Sequence, residues 1–89
     1  MTNTSQRSDQ SHIEQTLGHL LRCARRKKGL TQIEVAEWIS TSQSLISKFE
    51  NDLRLPDVMV VITLAVLYDV TLDWLLSPLV QTIRQQVTE

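Results

Sequence analysis

The sequence predicts an all-α domain, and three observations carry that reading. Gly and Pro number two each in 89 residues and aromatic side chains are only 4%, so helix breakers and strand-favouring rings are both scarce. Apolar residues recur at helical spacing, as in Ile13, Leu17, Leu20, Leu21 and Ala24. Helix-start signals of the Ser/Thr-x-x-Glu kind stand directly before such runs. Hydrophobic residues make up 42% of the chain, a globular composition, and the length suits one domain.

The elements follow in order. Residues 1–10 are mostly polar and are expected to form a disordered tail. Ser11-His12-Ile13-Glu14 reads as a capping box opening the first helix, which ends in Arg25-Arg26-Lys27-Lys28-Gly29. Cations complement the negative end of the helix dipole there, and Gly29 supplies a left-handed terminus. Thr31-Gln32-Ile33-Glu34 is a second capping box, with Val35, Ala36 and Ile39 facing inward. After a turn at Ser40-Thr41, Ser42 caps a third helix to about Glu50. Its inward residues are Leu45, Ile46 and Phe49, and Gln43, Ser44, Ser47 and Lys48 face outward. Asn51-Asp52 ends it, since both tolerate the left-handed conformation. Leu55-Pro56-Asp57 starts a fourth helix through about Tyr68, Thr71 caps a fifth over Leu72 to Leu76, and Ser77-Pro78 opens a last one. The organisation expected is a tail (1–10), a compact domain (11–77) and a C-terminal helix (78–89).

Net charge is −1, which by itself argues against a polyanion partner. Its distribution points the other way. Arg22 to Arg54 holds seven bases (Arg22, Arg25, Arg26, Lys27, Lys28, Lys48, Arg54) against the four acids Glu34, Glu37, Glu50 and Asp52. A basic patch suffices for phosphate contact. Cys23 is the one cysteine, so no intramolecular disulfide and no thiolate metal cluster is expected, and a reducing cytoplasm fits. Cys23 reads as a buried or half-buried space filler, and His12 and His19 as surface residues. The N-terminus has no apolar run of the signal-peptide kind, and Val58 to Tyr68 is too short to span a bilayer. Neither a catalytic constellation nor a cofactor loop is present at workable spacing, so an enzyme is not expected, and neither is a metal or other cofactor.

Two short helices joined by a tight turn, the second with an outward row of small polar side chains, form the helix-turn-helix pattern. Thr31-Gln32-x-Glu34-Val35-Ala36, then Ser42 to Asn51, then Pro56, then Val70-Thr71-Leu72-Asp73-Trp74-Leu75-Leu76 resemble the lambda-repressor and Cro-like, Xre-type family from about Leu17 through Leu76. The resemblance implies a five-helix lambda-repressor-like DNA-binding domain, and the chain beyond it is expected to add a C-terminal dimerisation helix. It implies double-stranded DNA as partner, with the third helix in the major groove. Gln43, Ser44, Ser47 and Lys48 are the expected base contacts, since a Gln amide pairs bidentately with adenine. Gln32, Arg22, Lys28, Ser42 and Arg54 are the expected phosphate contacts. Arg25 and Glu50 match positions that form a buried ion pair. Ser40 and Asp52 stand where the family usually has Gly, a departure that can tilt the recognition helix.

The fourth helix is apolar nearly all round. Val61, Ile62, Leu64, Ala65 and Tyr68 serve the core, which leaves Met59, Val60, Thr63 and Val66 on the other side. With Leu79, Ile83 and Val87 of the last helix these are the expected homodimer interface. The competing arrangement folds the last helix back over the fourth. A two-fold dimer suits a palindromic operator. Ile33 and Trp38 occupy usually polar positions, as core rim or as a second contact. The expected function is a sequence-specific transcriptional regulator, a repressor more readily than an activator, in a bacterial or phage setting. Polymerase or a toxin are conceivable protein partners, and a restriction-modification controller or an antitoxin has the same layout. The rival class is a protein-binding adaptor on the same fold, which has no need of Gln, Ser and Lys outside the third helix.

Overall fold

The computed structural model describes residues 15–88, and among them every regular element is a helix. They are α1 (Leu17–Lys27), α2 (Gln32–Trp38), α3 (Gln43–Glu50), α4 (Val58–Tyr68) and α5 (Leu72–Thr88). Each contributes one side chain to the most deeply buried set: Leu21, Val35, Ile46, Leu64 and Leu75. The fold is therefore a single core reached by an apolar stripe from every helix.

The starts are set by side-chain oxygens. Thr16 caps α1, accepting from the His19 amide at 3.1 Å. The described part of α1 thus begins later than the Ser11 box predicts, and Ser11 to Glu14 lie outside the described residues. The Thr31–Glu34 capping box closes in both directions. Ser42 and Asp57 cap α3 and α4 by accepting from Leu45 and Val60.

The ends share one device. After α1, α2, α3 and α4, the residues Gly29, Ser40, Asp52 and Asp69 adopt positive φ, between 58° and 78°. In each case its amide bonds the carbonyl three residues back, and the next amide bonds the carbonyl five back, as in Thr41 N to Ala36 O at 2.8 Å and Leu53 N to Lys48 O at 2.9 Å. This satisfies carbonyls that the helix itself leaves open. Glycine does this without strain, yet three of the four positions are not glycine. Asn51 stays out of the left-handed region, so Asp52 alone makes the stop after α3.

Asp52 has a compensation that Ser40 lacks. Its carboxylate accepts from the Thr16 hydroxyl at 2.7 Å and from the Gly18 amide at 3.0 Å. It thereby covers an open amide at the positive end of α1 and ties that end to the stop of α3. Gly18 belongs to the same junction. A Cβ there would stand 2.6 Å from both the Phe49 and Glu50 carbonyl oxygens, so only glycine lets α1 approach α3 this closely.

Three sequence expectations change. Ser77-Pro78 does not open a new helix: α5 runs unbroken through Pro78. Proline has no N–H to give the Trp74 carbonyl, and the Ser77 hydroxyl donates to that carbonyl instead at 2.7 Å. Ile62, placed in the core by periodicity, is 37% exposed, because α4 turns it into a gap between helices. Cys23 is exposed, with its sulfur 3.4 Å from His19 Nε2 on the outer face of α1.

Two outcomes follow. Ser40→Gly relieves a left-handed serine and should raise stability by about 0.5–1 kcal/mol, a few degrees in Tm. Gly18→Ala should destabilise by about 1–3 kcal/mol or more, because backbone oxygens cannot yield as side chains do. Thermal and urea unfolding read both.

Candidate nucleic-acid interface

The polar face of α3 is held from behind by a buried ion pair. Arg25 on α1 is 7% exposed and Glu50 at the end of α3 is 3% exposed. Arg25 Nε donates to Glu50 Oε2 at 2.6 Å and Nη2 donates to Oε1 at 3.0 Å, a two-pronged contact. Arg25 Nη1 also donates to the Leu30 carbonyl at 2.8 Å, which fixes the α1–α2 loop. Among the described side chains no buried polar atom is left without a partner. That is the condition under which a buried pair is tolerable.

The network continues outward. Gln32, first residue of α2, donates from Nε2 to Glu50 Oε1 at 3.0 Å. Its Oε1 then accepts from Gln43 Nε2 at 3.2 Å. A chain of hydrogen bonds thus runs from the core to the exposed first turn of α3. It leaves the Gln43 Oε1 and one amide hydrogen unused by these contacts. Arg22 joins from the other side, with Nε 3.5 Å from Glu50 Oε1 and Nη2 donating to Asn51 Oδ1 at 2.9 Å. Asn51 in turn donates to the Ser47 carbonyl and hydroxyl, at 2.8 and 3.3 Å.

The expected site residues therefore divide. Gln43, Ser44 and Lys48 are exposed along α3. Ser47 is half-buried and tied to Asn51. The Ser42 hydroxyl is occupied in capping. Gln32 and Arg22 are gathered into the network. Arg54 is exposed in the loop after α3. Lys28 lies elsewhere, beside Lys27, Tyr68 and Asp69 at the far end of α1 and α4. Sequence reading missed Asn51 as a bridge and Gln32 as a link to Glu50, since contacts 18 and 29 residues apart leave no local signal. The described residues hold no cluster of three or more His, Cys, Asp or Glu able to bind a metal ion. No described helix is long and apolar enough to cross a membrane.

Burial by itself would raise the Glu50 carboxyl. The hydrogen bonds from Arg25 and Gln32 and the nearby charges of Arg25 and Arg22 outweigh it, and the carboxyl is held below its ordinary range. The guanidinium of Arg25 is pushed up, chiefly by its hydrogen bond to Glu50. Burial raises the Tyr68 phenol, so it stays neutral at physiological pH.

Because the folded Glu50 value is depressed, its contribution is complete above the unfolded value of about 4.3 and is lost as pH falls through the lower folded one. Thermal unfolding between pH 7 and pH 3 should show that loss, and Glu50→Gln should flatten it. Glu50→Ala leaves Arg25 buried without its partner and should cost about 3–5 kcal/mol in denaturant unfolding.

Comparison with known proteins places this geometry. The helix-turn-helix domain family matches residues 18–77. The HTH-type transcriptional regulator ImmR of Bacillus subtilis (strain 168) is 41% identical over 62 residues, covering 70% of this chain and 49% of ImmR. The chain thus spans about half the length of that relative. With its capped helix pair, its left-handed stops and its polar third helix, the chain belongs to the Xre-type helix-turn-helix family of transcriptional regulators.

Proposed function

We propose that the chain binds DNA sequence-specifically and represses transcription by occupying a palindromic operator as a homodimer. One observation carries this reading: Gln43 stands at the exposed start of α3 with its amide held by Gln32, which Glu50 and Arg25 hold in turn. A pre-oriented amide loses little freedom on contact and can offer a donor and an acceptor to the N7 and N6 edge of adenine. A protein-binding adaptor gains nothing from such a relay.

Lys48 and Ser44 extend the base-reading row, and Ser47 acts mainly through Asn51. Arg54 is the exposed cation best placed in sequence to meet the phosphate backbone after α3. Gln32 and Ser42 serve phosphate through backbone amides at their helix starts, and Arg22 through the network that aligns them. Lys28, at the far end of α1, contributes long-range attraction more than contact. The setting proposed is the cytoplasm of a bacterium or a phage-infected cell.

The dimer reading rests on exposed apolar surface. Met59, Val66, Ile83 and Val87 are 58–77% exposed and Leu79 is 37% exposed. Thr63 is exposed too, whereas Val60 is half-buried against the core and contributes less. The last helix does not fold back over α4: every residue of α5 after Pro78 is exposed.

Selection of binding sites from random duplex DNA tests the function. Gln43→Ala should relax preference at one base pair per half-site by about 1–3 kcal/mol, and Lys48→Ala should weaken binding. Wild-type affinity should fall steeply with salt as counterions are released. Unchanged affinity and preference in both variants would mean that α3 does not face the groove.

A further inference from the structure

The far half of α3 carries hydrogen bonds of its own. Gln43, Ser47 and Asn51 stand four residues apart and lie in one row along the helix. Asn51 closes that row. Its Oδ1 accepts from Arg22 Nη2 at 2.9 Å, and its Nδ2 donates to the Ser47 carbonyl at 2.8 Å and to Ser47 Oγ at 3.3 Å. The direction of these bonds has no alternative. An arginine side chain can only donate, and a backbone carbonyl can only accept. Turning the Asn51 amide over would set donor against donor and acceptor against acceptor. Arg22 is itself held, with Nε 3.5 Å from Glu50 Oε1.

The polarity of Asn51 passes to Ser47. The hydroxyl oxygen receives the amide, so its hydrogen is the part left to give. Helical hydroxyls commonly spend that hydrogen on their own helix. Thr63, Thr82 and Thr88 each donate to the carbonyl four residues back, and Ser77 to the carbonyl three back. Ser47 does not: among the described residues its hydroxyl accepts from Asn51 and donates to no group. The Ser44 hydroxyl, exposed nearer the start of α3, has no described bond and can turn either way.

We infer that Asn51 is a positioning residue for base recognition: it holds the Ser47 hydroxyl as a donor, so the base that Ser47 distinguishes is a keto base, guanine through O6 or thymine through O4. The inference rests on the proposed reading that α3 lies in the major groove, and deepens it by one base. In that groove a keto oxygen on guanine or thymine stands against an amino group on adenine or cytosine. A free serine hydroxyl separates the two poorly, because it rotates to suit donor or acceptor. Occupying its oxygen from behind removes that freedom. Asn51 does this without touching DNA itself.

Selection of sites from random duplex DNA with full-chain variants tests this. The wild-type chain should prefer guanine or thymine over adenine or cytosine at one base per half-site. Ser47→Ala should erase that preference, a change of about three- to tenfold, the weight of one neutral hydrogen bond. Alanine suits a helix, so this variant tests contact and not folding. Asn51→Asp keeps an acceptor for Arg22 but loses the bond to the Ser47 carbonyl and sets a second acceptor against Ser47 Oγ. The Ser47 hydrogen then turns toward residue 51 and its lone pairs toward the groove, so preference at the same base should invert to adenine or cytosine. An Asn51 that only supports the fold would change affinity or Tm and leave the preferred base alone. The inference is overturned by a Ser47→Ala profile equal to wild type, by a wild-type preference for adenine or cytosine at the Ser47-dependent base, or by a keto preference that survives Asn51→Asp. A base preference that still depends on Gln43 would then leave DNA recognition by α3 standing. A wild-type chain that selects no sequence removes both.

Discussion

Glu50 is the point on which this structure turns. It ends α3, and its two oxygens receive Arg25 from α1 and Gln32 from α2. Taking these charges out of water is unfavourable, and an apolar trio of similar volume could pack at least as tightly. What the ion pair adds is direction. An apolar contact leaves α3 free to roll by a fraction of a turn, whereas a two-pronged guanidinium–carboxylate contact fixes its azimuth. The azimuth of α3 decides which side chains face outward, so a contact in the core sets the chemistry of the surface.

The same end of α3 is held a second time by Asp52. Its left-handed backbone stops the helix, and its carboxylate grips the start of α1 through Thr16 and Gly18. Gly18 allows the two backbones to touch. The family's more usual glycine would stop the helix with less strain but would supply no such tie. The departure at position 52 thus exchanges backbone ease for a polar junction. At position 40 the serine brings strain and no described side-chain bond in return.

Apolar surface is distributed against this rigid polar half. The α3 face is polar and braced, while α4 and the end of α5 leave large side chains in contact with solvent. On the proposed reading, the polar half serves recognition and the apolar half serves assembly. A surface built for phosphate must stay charged and open, and a surface built for a copy of the chain must be apolar enough to lose water.

The sequence alone determined the helical class, the Thr31–Glu34 capping box and the outward placement of Gln43, Ser44 and Lys48 on α3. These are local or periodic features, written within a few residues of where they act. It also anticipated the Arg25–Glu50 pair, through the resemblance of its surroundings to known regulators. Tertiary structure decided the rest. Whether Pro78 breaks a helix depended on a neighbouring hydroxyl capturing one carbonyl. Whether Ile62 is core or groove depended on how α2 and α4 splay. That Gln32 relays Glu50 to Gln43 depended on three helices meeting, with partners separated by 11 and 18 residues. No periodicity encodes such meetings, because they arise only when separate stripes are packed on one core.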